Sequence, residues 1–226
     1  MSGCSVGIVV QARMGSTRLP GKVLKHVGKW VLLEHIARRC ELLRTPAKLV
    51  FATSMKQSDD AVVAWCASRN FAYFRGSEDN VLERYTLCAR EYEFTHIVRL
   101  TGDNPFPDME ELDKLLALHL REQAEFSYSF PALPIGVGAE IFAIQALETC
   151  LANAHMPHHF EHADEYILDN IANFNTRALP PVPEKYRPDI RLTIDTEEDY
   201  ERCVAIVARS GEMVSTVEAI AACAWI

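Results

Sequence analysis

The chain has no apolar run of about 18 residues, and no basic segment followed by an apolar stretch near its start, so neither a membrane span nor an export signal is expected. Positive charge is not in excess either. A net charge of −8 leaves no overall basic field to recruit a nucleic acid, so a local cationic loop points to a small anionic ligand. There is no C-x-x-C pair, internal repeat or low-complexity tract. The seven cysteines, an odd number, stand singly in mostly apolar helical surroundings, as at Cys40, Cys66, Cys88, Cys150 and Cys203, and read as reduced core residues of a cytoplasmic protein. What is present is the composition of an ordinary globule. At 226 residues, 49% hydrophobic and 24% charged, the chain has enough for a sizeable core in one domain, residues 1–226.

Strand-like and helical segments alternate through the first half. An apolar strand opens at Val6; Val31 to Leu43 has helical spacing and stops at Thr45-Pro46; Lys48 to Thr53 is a strand; Ser58 caps a helix reaching about Arg69. Phe71 to Phe74 is a strand, Asn80 to Tyr92 a helix, and Thr95 to Thr101 a buried strand interrupted by Arg99. Asp108 followed by Glu111 makes a capping-box-like start to a helix ending near Glu122. This rhythm predicts an α/β fold, a doubly wound, mostly parallel sheet with helices on both faces and a ligand cleft at the carboxyl ends of its strands.

From Phe130 the texture changes, with Pro131, Pro134, Gly136 and Gly138, and again at Pro180, Pro181, Pro183 and Pro188. Residues 130–188 are expected to form a small inserted α+β subdomain that covers the cleft and supplies a subunit interface. It holds an EIF strand, a helix from about Gln145 and another from about His158 to Phe174. Asp189 to Asp195 then returns as a strand, and two helices, Glu197 to Arg209 and Ser215 to Cys223, close the chain.

The most informative stretch is Val6 to Leu24, VGIVVQARMGSTRLPGKVL. The first strand delivers the chain into a loop, Gln11 to Lys22, where Arg13, Arg18 and Lys22 stand among small residues such as Gly15, Ser16 and Gly21. Such a backbone bends tightly around phosphate while the side chains neutralise it. It is not a Walker loop: five residues separate Gly15 from Gly21, and Val23 follows Lys22 where a magnesium-binding hydroxyl should stand. G-x-G-x-x-G is absent as well, and helical periodicity resumes only near Val31, so loop amides and long cationic side chains are the expected phosphate contacts. Arg75-Gly76-Ser77 and Gly102-Asp103-Asn104-Pro105 follow other strands, which brings three separated segments to one cleft. Taken singly, each has a plainer role: Arg18 as a surface cation, Arg75 to Ser77 as a tight turn, Asp103 as a turn residue bonding its own backbone.

The segments QARMGSTRLPGKVL, RGSEDNVLERY, VRLTGDNPFPD, GVGAEIF and RLTIDTEEDY, in that order, resemble the cytidylyltransferases of the spore-coat-polysaccharide type. These are relatives of the enzymes that make CMP-activated ulosonic acids such as sialic acid and 3-deoxy-manno-octulosonate, and the match spans essentially the whole chain. The resemblance implies a nucleotide-diphospho-sugar transferase variant of the doubly wound sheet. It also implies transfer of CMP from CTP, or of another nucleoside monophosphate from its triphosphate, to an oxygen of a sugar. The acceptor would be an ulosonic acid or a sugar phosphate, and pyrophosphate would be released in the synthesis of a surface polysaccharide or glycan.

On that basis Arg13 and Lys22, with Arg18 as a third, are the expected triphosphate cations, and Gln11, Ala12, Gly15 and Ser16 the surrounding nucleotide loop. Asp103 and Asp195 lie 92 positions apart, each directly after an apolar strand, and are expected on one sheet edge, where two hard oxygen ligands suit Mg2+. Asp195 also reads as a helix-start carboxylate. Arg13, Lys22, Asp103 and Asp195 form the expected catalytic set. The resemblance makes Arg75 and Ser77 base readers, and places Glu140, Glu161 and His162 on the acceptor side or, for the last two, at a subunit interface. Arg99 reads as an anchor for an acceptor carboxylate or phosphate, or as the partner of an acidic neighbour; Glu140 also reads as a solvated strand-start carboxylate. A homodimer is expected, with no nucleic-acid or membrane partner.

His158, Glu161 and His162 also satisfy H-x-x-E-H, with His155 and His159 nearby. On one helix face that spacing suits zinc and a peptidase, but it leaves the first loop unexplained. Two further alternatives keep the loop: a glycosyltransferase that consumes a finished nucleotide sugar and liberates a nucleotide, and a non-catalytic nucleotide or sugar binder.

Overall fold

The computed structural model describes residues 4–225; residues 1–3 and 226, which the single-domain expectation takes in, lie outside the described residues. Strand β1 (Val6–Gln11) runs into the cationic loop, a 3-10 turn at Lys22–Leu24, and a short hairpin of β2 (His26–Val27) and β3 (Trp30–Val31). There follow α1 (Leu32–Cys40), β4 (Lys48–Ser54), α2 (Asp60–Ser68), β5 (Ala72–Gly76), α3 (Val81–Glu91), β6 (His96–Thr101) and α4 (Met109–Arg121). The second half contains β7 (Phe126–Tyr128), β8 (Glu140–Ala143), α5 (Ile144–Asn153), α6 (His158–Glu161), α7 (Glu165–Asp169), β9 (Thr176–Ala178), α8 (Glu197–Ser210) and α9 (Thr216–Cys223).

Seven strands form one sheet in the order β5-β4-β1-β6-β8-β7-β9, and every pairing is parallel except those of β8. Because successive side chains on a strand point to opposite faces, the continuous apolar run of β1 feeds two cores. Ile8 and Val10 pack with Leu33 and Ile36 of α1, Trp65 of α2 and Leu115 of α4, while Val9 packs with Leu82 and Tyr85 of α3 and Leu147 of α5. Helices therefore cover both faces, as the alternation predicts. A third cluster joins α8 and α9 to Leu192, Ile194 and Phe106 at the edge of the cleft. Cys66, Cys88, Cys150 and Cys203 are buried, and burial pushes each thiol up to about 12, which leaves them inert core residues. No helix among the described residues is long and apolar enough to cross a membrane.

Several boundaries differ from the pattern-based expectation. Ser58 does not cap α2; it lies inside a 3-10 turn, Gln57–Asp59, that precedes the helix. The helix expected from His158 to Phe174 is broken into α6, α7 and a 3-10 turn, with His162 in extended backbone (φ −132°, ψ 152°) between the first two. The break buries Asp164 beside Arg99, a long-range reward that helical periodicity does not register. Asp189 to Asp195 is not a strand: it keeps a single bridge, Ile135 to Arg191, while its alternating Ile190, Leu192 and Ile194 are buried against α8 and α9. Period-two burial here comes from an irregular segment. Within 130–188, β8 and β9 enter the central sheet itself.

One buried pair sets an acid limit on the fold. The His119 ring on α4 contacts the Ser127 hydroxyl at 2.9 Å and the His96 ring at 3.1 Å. Burial pushes the His119 imidazole from 6.5 down to about 4, with His96 adding in the same direction. Between those pH values the unfolded chain binds a proton that the native ring refuses, so stability falls as pH drops through the window, by about 3 kcal/mol for a shift of this size. Urea denaturation at pH 7 and pH 4.5 should show the loss, and His119→Asn should flatten it; equal slopes would remove His119 from this role.

Candidate functional site

The carboxyl ends of β1 and β6 open into a cleft of about 310 Å³, floored by Thr101 and Gly102 and walled by the Gln11 to Lys22 loop. Local bonds shape that loop. Met14 accepts from the amides of Ser16 and Gly21, Ser16 Oγ accepts from the Leu19 amide, and Gly21 takes the left-handed conformation (φ 70°) that turns the chain into Lys22. The buried Asp59 carboxylate holds the other side, accepting from the Met14 amide at 2.7 Å and from Ser54 Oγ. Burial works against ionisation of Asp59, but the bonds from Ser54 and the Met14 amide outweigh it and hold the carboxyl below its ordinary range. The amides of Arg13, Gly15, Thr17 and Arg18 have no hydrogen-bond partner among the described residues. Donors of this kind at the mouth of a cleft suit an anion.

Lys22 is the hinge of the site. Its side chain is buried, and its Nζ donates to Asp103 Oδ2 at 2.7 Å, to the Ile194 carbonyl at 2.7 Å and to Asp195 Oδ1 at 3.1 Å. The two carboxylates thus meet at one cation, and the Ile194 amide donates to the Asp103 carbonyl at 2.9 Å, joining their parent segments. Arg18 Nη2 lies 3.0 Å from Asp195 Oδ1, and Arg191 Nη2 lies 2.8 Å from Asp195 Oδ2. Burial raises the Asp195 carboxyl, but Lys22, Arg18 and Arg191 outweigh it and hold it below the ordinary range. Asp195 does not cap the following helix: Thr196 does, in a reciprocal box with Asp199. Asp103, likewise, makes no side-chain bond to its own turn among the described residues; its carboxylate faces Lys22.

Of the expected residues, Gln11, Ala12, Arg13, Gly15, Ser16, Arg18, Lys22, Asp103, Asp195, Glu161 and His162 all border the cleft. Arg75 and Ser77 do not. Arg75 donates to the Ser54 carbonyl through Nε, to Asp60 through Nη1 and to the Lys56 carbonyl through Nη2, so each of its three nitrogens is engaged by the protein. Ser77 Oγ accepts from the Asn80 amide and its carbonyl accepts from Arg84, so this turn is a support. Arg84, which is not among the expected residues, borders the cleft with Val81; its buried Nε has no partner, and burial, with neighbouring Arg13 adding to it, lowers its guanidinium. Asn80 caps α3, which sets Val81 and Arg84 one turn apart on the same face.

Arg99 and Glu140 face each other across β6 and β8, with Arg99 Nη1 at 2.7 Å from both carboxylate oxygens. Arg99 Nη2 donates to His162 Nδ1 at 3.3 Å, and Asp164 lies 3.7 Å from Nη1. Arg99 therefore pairs with acidic neighbours instead of waiting for a ligand anion, and Glu140 is buried, not solvated. Burial pushes the Glu140 carboxyl up to about 7 against the pull of Arg99. The H-x-x-E-H spacing is not realised on one helix face, because His162 leaves the helix. His158 Nε2 and His159 Nε2 instead meet Asp169 Oδ2 at 2.8 and 3.0 Å, and His159 Nδ1 accepts from the His155 and Met156 amides. Those bonds place the His159 proton on Nε2 and tie α6 to the end of α7.

A cytidylyltransferase family profile matches residues 7–218. The chain is 39% identical over 210 residues to the spore coat polysaccharide biosynthesis protein SpsF of Bacillus subtilis, covering 90% of this chain and 87% of that one. A solved cytidylyltransferase from Leptospira borgpetersenii superposes with a TM-score of 0.90 at 32% identity, over 97% of this chain and 93% of that one. The CTP complex of CMP:2-keto-3-deoxy-manno-octonic acid synthetase shares the fold, with a TM-score of 0.70 at 17% identity over 91% of this chain and 99% of that one.

Proposed function

The chain belongs to the cytidylyltransferase family, and from that premise we propose that it transfers CMP from CTP to an oxygen of a sugar, releasing pyrophosphate, in the synthesis of a surface polysaccharide or glycan. One observation carries the reading: Arg13, Arg18, Lys22 and Arg84, unbonded loop amides, and the Asp103 and Asp195 carboxylates all converge on a single cleft of about 310 Å³. In the reaction the acceptor oxygen attacks the α-phosphorus and the bond to the β-phosphate oxygen breaks. Negative charge gathers on the phosphoryl oxygens and the departing pyrophosphate, and cations held in place beforehand stabilise it without reorganising. Arg13 and Arg84 supply forked donors, and the amides of Gly15 and Thr17 supply fixed dipoles. Gln11, with a buried Oε1 that has no partner, and the Ala12 backbone line the base end of this wall.

Asp103 and Asp195 are the residues that would hold Mg2+. Their oxygens converge closely enough to share one ammonium, and paired carboxylates are the hard donors that ion takes. When bound, it polarises the α-phosphate and orients the attacking oxygen. A cytoplasmic homodimer completes the reading, supported by inert buried thiols and by Met156, Leu168 and Ile171 exposed on the 130–188 segment, the candidate cover and subunit contact. Light scattering on a sizing column should return twice the chain mass of 25.4 kDa.

Pyrophosphate release from CTP and Mg2+ with a sugar panel tests the function; release of a free nucleotide from a nucleotide sugar would favour a glycosyltransferase. A thermal-shift series with the four triphosphates should give its largest rise with CTP. The placement of the two arginines adds a sharper expectation. Arg84→Ala should raise the KM for CTP by about tenfold or more, the usual effect of losing a charge-assisted contact. Arg75→Ala should leave that KM within about twofold and lower only the melting temperature, because its donors serve the protein. The reverse pattern would restore Arg75 as the base reader.

A further inference from the structure

The cleft does not end at the phosphate site. Thr101 borders both the main cleft and a small cavity of about 60 Å³, and the Asn104, Phe130 and Glu140 wall of that cavity belongs in turn to a larger one of about 390 Å³. The large cavity is formed by Leu133, Ile135 and Pro188 together with the neighbouring prolines and glycines, and Glu140 is its one ionisable lining residue among the described residues. Asn104 is its one neutral polar side chain, and no hydrogen bond engages its amide group among the described residues. Phe130 and Ile135 are partly exposed, at 38% and 45%, so apolar surface lines an accessible chamber.

Among the described residues no unpaired cation lines the large cavity. Arg99, which borders only the small one, holds both Glu140 oxygens with Nη1 and His162 with Nη2, with Asp164 3.7 Å away, and its one unpartnered nitrogen, Nε, is buried. A negative group entering here would lose hydration, face the Glu140 carboxylate and find no counter-charge. A methyl group would instead displace water from the Ile135, Leu133 and Pro188 surface, while hydroxyls on the same ring would bond Asn104 and Glu140.

Resting on the cytidylyltransferase reading, we propose that this chamber is the distal acceptor subsite. It takes the uncharged, methyl-bearing end of a sugar, with Ile135 and Glu140 as its specificity-determining residues. The methyl belongs either to a deoxygenated ring substituent or to an N-acetyl group, and matched acceptors separate the two. Pyrophosphate release from CTP and Mg2+ is read at pH 8, above the value of about 7 to which burial pushes the Glu140 carboxyl. Acceptors are hexose 1-phosphates differing only at C6, as methyl, hydroxymethyl or carboxylate, together with N-acetyl and free-amine pairs, each also supplied as the ulosonic acid carrying the same substituent.

Methyl-bearing acceptors are expected to exceed their hydroxymethyl or amine counterparts by about tenfold in kcat/KM, and carboxylates at that position by about a hundredfold or more. Ile135→Asp should raise the KM of the methyl acceptor at least about tenfold while leaving the KM for CTP unchanged, and saturation-transfer NMR on the parent protein should place the methyl protons in contact. Carboxylate acceptors that match the methyl series, or an Ile135→Asp variant with an unaltered acceptor KM, would overturn the subsite and leave cytidylyl transfer standing. No pyrophosphate from any triphosphate with any acceptor would overturn both.

Discussion

Asp103→Asn should cost about a thousandfold or more in turnover while the melting temperature stays within a few degrees of the parent. The substitution keeps the shape of the side chain and removes its charge. If Asp103 merely shaped the Gly-Asp-Asn-Pro turn, asparagine would serve as well, since both residues favour such turns. The carboxylate instead points away from its own backbone and meets Lys22 at 2.7 Å, beside Asp195. In the proposed reaction its chemical value is a full negative charge and hard oxygens beside the α-phosphate, and an amide supplies neither at strength. Stability is spared for a related reason. Lys22 keeps the Ile194 carbonyl and Asp195, and the backbone bond from Ile194 to Asp103 does not involve the side chain. Steady-state pyrophosphate release and a thermal melt on the same preparation decide the matter: near-normal turnover would end the assignment of Asp103 to the reaction.

Lys22→Ala should damage both activity and fold. A buried ammonium bridging two carboxylates is removed, and Asp103 and Asp195 are left to repel each other with only Arg18 and Arg191 to offset the latter. Removing one partner of a buried ion pair costs about 3–5 kcal/mol, and both carboxylates here keep some solvent contact, so roughly half of that is expected. In a chain of 226 residues this lowers the melting temperature by about 5 °C. On the proposed mechanism catalysis falls further, by at least about a hundredfold in kcat/KM for CTP, because a compact positive charge assigned to the transferring phosphoryl group is gone. Unchanged nucleotide kinetics would remove Lys22 from the site, and an unchanged melt would show that the bridge carries no stability.

Much of this site was legible in the chain. The loop holding Arg13, Arg18 and Lys22, and the carboxylates at 103 and 195, stand beside apolar segments whose burial dictates where they must emerge. Local signals also placed α3, through its helical spacing, and α4, through the Asp108 cap; that Asn80 caps α3 emerged with the structure. Arg84 was available by the same logic, since a helix starting at Val81 turns residue 84 onto the same face, but an arginine in a helix reads as a solvated surface residue until its burial is known. Asp59 gave no such signal. Its role depends on the Met14 amide, 45 positions away, and only the pairing of β4 with β1 brings the turn after the one beside the loop after the other.

The sequence by itself determined the fold class, through strand periodicity and capping chemistry, and the reaction class, through the ordered motifs that resemble a known family, because these are local properties that survive without a structure. Tertiary structure alone decided which polar groups are free. Arg75 and Arg99 have the same guanidinium as Arg84, yet the first is engaged by two carbonyls and Asp60, the second by Glu140 and His162, and of the three only Arg84 borders the cleft. A side chain's chemistry is written in its residue type. Its availability depends on which partners the packed chain brings within about 3 Å, and those partners come from segments that the sequence keeps far apart.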